Sequence, residues 1–155
     1  MYNNIKHNRT LVTGVRFYFK GDNMEKMKNL KELVKFRTDG NEEGINDCLN
    51  FIKNVLTIKG WKTLLLKNNE NKKNNLIAVL NGELKNVKDA IVLAGHIDTV
   101  VANQEKWSFD PFTLTESNGN LFGLGVADMK VFTSTILSSL DEIKKLIQID
   151  LLFLF

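Results

Sequence analysis

Three side chains stand where their types and spacing allow chemistry: His96 and Asp98 in Gly95-His-Ile-Asp-Thr-Val100, and Asp128 in Gly123-Leu-Gly-Val-Ala-Asp128. In an extended chain, residues two apart point to the same side, so an imidazole at 96 and a carboxylate at 98 can face one cavity. A neutral imidazole is a good zinc ligand, and a carboxylate beside it fixes its tautomer and raises its basicity. A core histidine hydrogen-bonded to its neighbour would use the same two residues, and spacing alone leaves both readings open. Asp128 comes just before a helical period that begins at Met129. Free N–H groups at a helix start stabilise a carboxylate, so capping is the alternative to a ligand role. A phosphate-cradling reading of Gly123-Leu-Gly125 fails: no clear strand precedes it, and Asp128 holds the place of the third glycine with a charge that repels phosphate.

The elements that must position these groups are readable from period and punctuation. Ala90-Ile-Val-Leu-Ala94, just ahead of His96, is a continuous apolar run of the kind found in sheets covered on both faces. Binding groups of open α/β sheets collect at the carboxyl ends of such strands. Ile45, Cys48, Leu49, Ile52, Val55 and Leu56 recur at helical spacing, with Gly60 as a stop. Met24, Met27, Leu30, Leu33 and Val34 form one face of an earlier helix. Trp61 to Leu66 and Leu76 to Leu80 read as strands, the second closed by the turn pair Asn81-Gly82. Asn68 to Asn75 between them is too polar to bury. Residues 99–127 form a long connection holding the only proline, Pro111. A helix is then expected from Met129 through Phe132, Ile136, Leu137, Leu140 and Ile143, and a strand over Ile149–Phe155. Alternating helices and buried strands make the fold class α/β.

Composition sets the remaining bounds. With 155 residues, 43% of them hydrophobic, the chain is long enough for one domain with a real core. We expect residues 1–23 to be an N-terminal tail and 24–155 a single domain. The net charge of +3 comes from lysines dispersed among acidic residues, which excludes a nucleic-acid surface built on clustered charge. Cys48 is the only cysteine, so no internal disulfide exists and a reducing compartment fits. No apolar run reaches the roughly 20 residues that cross a bilayer, and the apolar stretch Leu11–Phe19 is broken by Arg16. A cytoplasmic protein without membrane association is expected.

Gly95-His-Ile-Asp-Thr-Val100, Trp107-Ser-Phe-Asp-Pro-Phe112 and Gly119-Asn-Leu-Phe-Gly-Leu-Gly-Val-Ala-Asp-Met-Lys130, in that order and spacing, resemble the metallopeptidase family of acetylornithine deacetylase and succinyl-diaminopimelate desuccinylase. Asn103–Trp107, Thr113–Glu116 and Phe132 are most similar to the acetylornithine deacetylase branch. The resemblance implies a zinc-peptidase-like catalytic domain with a mixed sheet and flanking helices. It implies two zinc (or cobalt) ions, His96 as ligand to one, Asp128 as the bridge between them, and Asp98 orienting His96. The implied reaction is hydrolysis of the amide of an N-acyl amino acid, with N-acetylornithine the leading substrate and arginine biosynthesis the setting. Desuccinylase or dipeptidase chemistry is the alternative. Trp107, Phe109 and Phe112 are read as packing the long connection onto the domain.

Departures from the family pattern accompany the match. Val101, Leu124 and Val131 stand where a proline, an arginine and a glycine are usual. The family also requires two adjacent glutamates, a further acidic ligand and a distant histidine after the bridging aspartate. Here only Asp141, Glu142 and Asp150 are acidic beyond Asp128, no histidine follows His96, and His7 lies in the tail. The catalytic domain is therefore expected to be incomplete, the dimerisation domain absent, and the homodimer of the family not formed. A second reading, in a different class, treats the chain as a non-catalytic remnant of a decaying or split gene. Ile149–Phe155 is expected to be an uncovered terminal strand prone to association, with solubility improved by deleting Leu151–Phe155 or by supplying the missing C-terminal portion.

Overall fold

The computed structural model describes residues 14–15, 23–68, 74–83, 90–147 and 150–155. Its order is β1 (Gly14–Val15), α1 (Asn23–Lys35), α2 (Glu42–Ile58), β2 (Lys62–Leu66), β3 (Asn75–Leu80), β4 (Ile91–Ala94), β5 (Thr115–Ser117), β6 (Asn120–Phe122), α3 (Val131–Ser138), α4 (Leu140–Leu146) and β7 (Leu151–Leu154). The main sheet runs β2-β3-β7-β4, with β2, β3 and β7 antiparallel and β7 parallel to β4. It is a mixed sheet with flanking helices, as the α/β reading expects.

Helix α2 forms where the spacing places it. Asn41 caps it by accepting a hydrogen bond from Gly44 N at 3.1 Å, and Gly60, at φ +84°, turns the chain out of it. Its face of Ile45, Cys48, Leu49, Ile52 and Leu56 packs against Leu76, Ala78 and Leu80 of β3 and Leu151 and Phe153 of β7. Trp61 stacks on Phe153 with ring centroids 4.5 Å apart. Helix α1 buries Leu30 and Val34 with Leu121 and Val126 in a smaller cluster. It is tied to α3 by Asn29 Nδ2 donating to Ser138 Oγ and Ser134 Oγ donating to the Lys26 carbonyl.

Three expectations need amendment. The last strand is not an uncovered edge: β7 lies between β3 and β4, with Leu151 and Phe153 1% and 0% exposed. Conversely β4 is an edge of the described sheet, and its Ile91 and Val92 are 46% and 54% exposed rather than buried on both faces. The helix foreseen from Met129 starts at Val131, after a wide irregular turn over Val126–Lys130, and breaks again at Ser139. Within the stretch read as a tail, Gly14 and Val15 pair with Phe122 and Leu121 as the edge of a small antiparallel sheet, β1-β6-β5. Residues 1–13, 16–22 and most of the polar loop after Asn68 lie outside the described residues.

Candidate metal centre

Parallel neighbours need a crossover, and here the crossover from β4 to β7 carries the site. His96 is two residues past the end of β4, while Asp128 lies in the irregular turn before α3. Two glycines allow the loops to meet. A Cβ at Gly95 would fall 2.9 Å from the Phe132 ring. Gly125 adopts φ +79°, and a Cβ there would sit 2.7 Å from Thr99 Cγ2.

The three residues singled out by type and spacing are thereby brought together across 32 positions of chain. His96 Nδ1 lies 3.0 Å from the backbone carbonyl of Asp98 and 3.2 Å from its carboxylate Oδ1. His96 Nε2 lies 3.1 Å from Asp128 Oδ1. The imidazole is half exposed and the Asp128 side chain is 82% exposed, so both face solvent at the mouth of a cavity. Asp128 makes no side-chain cap to the following helix, and its backbone is non-helical at φ −135°, ψ 94°. The capping alternative therefore has no geometry behind it.

The electrostatics of this trio are directional. A carbonyl accepts but cannot donate, so Nδ1 carries the proton and donates it to Asp98. That leaves the Nε2 lone pair aimed at a carboxylate oxygen, a repulsion that only a cation relieves, whether a proton on Nε2 or a metal ion shared by both groups. The pKa of His96 responds accordingly. Partial desolvation pulls it down, but the Asp98 carbonyl together with the hydrogen bond and charge of Asp128 outweighs that, so it stands above the ordinary imidazole value. An imidazole nitrogen and a carboxylate oxygen are donor types that zinc takes. Metal–nitrogen and metal–oxygen bonds of about 2.0–2.1 Å at a tetrahedral angle separate two ligand atoms by about 3.3 Å, close to the 3.1 Å seen between Nε2 and Oδ1. Among the described residues no group of three or more His, Cys, Asp or Glu side chains could hold a metal. Asp98 engages the rear of the imidazole, not the face turned to Asp128.

The adjoining cavity, about 390 Å³, is walled by Val100, Trp107, Leu124 and Ala127, and no lysine or arginine lines it. Trp107 thus belongs to the cavity wall, a place not encoded in any short-range period. The other aromatics do pack: Phe109 against Phe122 at 4.9 Å, and Phe112 under the Arg37 guanidinium at 4.4 Å. Asp141 and Glu142 lie on the exposed face of α4, with Asp141 paired to Lys59.

Known proteins resemble this chain in sequence and in fold. Residues 92–155 match the model of peptidase family M20/M25/M40. The chain is 34% identical over 122 residues to the probable succinyl-diaminopimelate desuccinylase of Staphylococcus aureus strain Mu50, covering 78% of this chain and 29% of that protein. It is 38% identical over 108 residues to the acetylornithine deacetylase of Proteus mirabilis, covering 68% and 27%. In fold it is similar to an M20 family metallo-carboxypeptidase from Sulfolobus solfataricus, with a TM-score of 0.70 at 22% identity over 84% of this chain and 30% of that one. The chain spans less than a third of the length of these relatives. The matched segment holds His96, Asp98 and Asp128, and over that segment the chain is similar to peptidase family M20/M25/M40.

Proposed function

We propose that this chain supplies the first metal ligands of an amidohydrolase acting on an N-acyl amino acid, with N-acetylornithine as substrate. The observation that carries the reading is the Nε2–Oδ1 separation of 3.1 Å combined with a tautomer held by Asp98. In this reading His96 would hold one zinc or cobalt ion, and Asp128, largely exposed, would be the carboxylate shared with a second. The ions supply a Lewis acid that polarises the amide carbonyl and acidifies water. Asp98 keeps the imidazole oriented, and the apolar wall of Val100, Trp107 and Leu124 takes the acyl group and excludes water from it. Residues 24–155 then form part of the catalytic domain, working in the cytoplasm. Dimerisation, like the remaining ligands and the general base, belongs to sequence equivalent to the rest of the relatives' length.

Two measurements test this. Calorimetric titration with zinc and cobalt should show weak binding by the 155-residue chain that is lost in His96→Ala and in Asp128→Ala; equal binding by all three proteins sinks the ligand assignment. Acetate release from N-acetylornithine by the chain alone should be negligible, since a positioned general base is worth roughly 10²–10⁴-fold. Robust, His96-dependent turnover would mean that Glu142, Asp150 or another group of this chain serves as base.

A further inference from the structure

The turn between α1 and α2 grips both of the loops that carry His96 and Asp128. Thr38, fully buried, accepts a hydrogen bond through its carbonyl from Thr99 N at 3.0 Å, and its hydroxyl lies 3.3 Å from that of Thr99. Thr99 is the residue after Asp98. Two residues earlier in the turn, the Phe36 carbonyl accepts a hydrogen bond from Lys130 Nζ at 3.0 Å. Lys130 is two residues past Asp128 and is 0% exposed. Burying an ammonium is costly unless its donors are met, and an apolar residue would fill the same volume without that cost. The ammonium therefore has a task, and its bond reaches back 94 residues to this turn. Gly125 completes the junction: a Cβ there would meet both Thr99 Cγ2 at 2.7 Å and Lys130 Cδ at 3.2 Å, so the two loops lie against each other at the point where the turn holds them.

We propose that Phe36–Thr38 is a positioning brace that sets the separation of His96 Nε2 and Asp128 Oδ1, with Thr38 and Lys130 as the positioning residues. The inference rests on the reading of His96 and Asp128 as a ligand pair, and the test separates the two. Lys130→Met keeps the stem and removes the bond to Phe36; Thr38→Val keeps the shape and removes the hydroxyl contact. Each variant of the full chain is followed by thermal melting, by zinc calorimetry, and by the ¹⁵N shifts of the His96 imidazole in metal-free protein at one fixed pH. Folded Lys130→Met should lose roughly 10-fold or more in zinc affinity, the scale of loss when groups supporting metal ligands are removed. Its Nε2 resonance should move toward that of an imidazole without a carboxylate partner, and Thr38→Val should move it less in the same direction. If Lys130→Met does not fold, Thr38→Val alone decides. Folded variants with wild-type imidazole shifts and wild-type zinc affinity overturn the brace. Shifted resonances in the variants, with no zinc bound by any protein including wild type, uphold the brace and overturn the ligand reading.

Discussion

At His96 the backbone and side chain of one residue, Asp98, compete to hold the same imidazole nitrogen. The carbonyl is the nearer, at 3.0 Å against 3.2 Å for the carboxylate. Removing the carboxylate should therefore leave the tautomer intact and reduce only ligand basicity. Asp98→Asn is expected to lower zinc affinity by about 10-fold, the lower end of the effect of such supporting groups, and titration calorimetry reads it directly. Loss of all binding would show that the carboxylate itself holds the ion. Cys48 gives a second prediction at this scale. Burial pushes its thiol from the ordinary 9.0 up to about 12, against a small opposing pull from Lys130. The unfolded chain ionises this thiol near 9 while the folded chain keeps it neutral, so the stability it contributes is present in full below 9 and is lost as pH rises toward 12. Urea melts between those limits should show a steeper decline for wild type than for Cys48→Ala, and parallel declines would contradict the assignment. These residues were legible in part. The types and spacing of His96, Asp98 and Asp128 pointed to a site, whereas Thr38 and Lys130 did not stand out, because their partners are 61 and 94 positions away and no local pattern encodes such contacts.

The elements fall into those fixed by local period and those fixed by tertiary packing. Helix α2 was readable because its apolar spacing, cap and stop are all local signals. The Val126–Lys130 turn was not, because its course depends on Asp128 and Met129 adopting non-helical backbone values that no propensity specifies. Strand β7 shows the same limit differently. Its apolar run announced a strand, but only the pairing register, Val79 with Leu152 on one side and Val92 with Leu152 on the other, makes it an inner one. Its Phe153 is fully buried against Trp61. Phe153→Ala is accordingly expected to destabilise the chain by about 3–5 kcal/mol, and deletion of residues 151–155 to abolish cooperative unfolding. A circular-dichroism melt unchanged by the deletion would restore the view of this segment as a dispensable edge.

Across the whole molecule, apolar surface is unevenly distributed. Leu64 and Leu66 on β2 and Ile91 and Val92 on β4 are 40–54% exposed at the two edges of the described sheet. An exposed apolar edge strand is a template for pairing with another chain. Sedimentation of the 155-residue chain should show association that rises with concentration and is reduced by Val92→Lys; a monomer at all concentrations would argue against it. The crossover from β4 to β7 has a consequence of another kind. Because His96 and Asp128 lie 32 positions apart within that one excursion, an ion held by both closes a loop in the chain, much as a covalent crosslink does. Closing it restricts the unfolded ensemble, which has no preformed pair to offer, so by mass action the ion favours the folded state. At a zinc concentration 100 times the dissociation constant the gain is about 2.7 kcal/mol. The midpoint of thermal unfolding should rise with zinc in the wild type and stay fixed in His96→Ala, making the small β5–β6 hairpin inside the loop the part of the molecule whose order is most sensitive to metal supply.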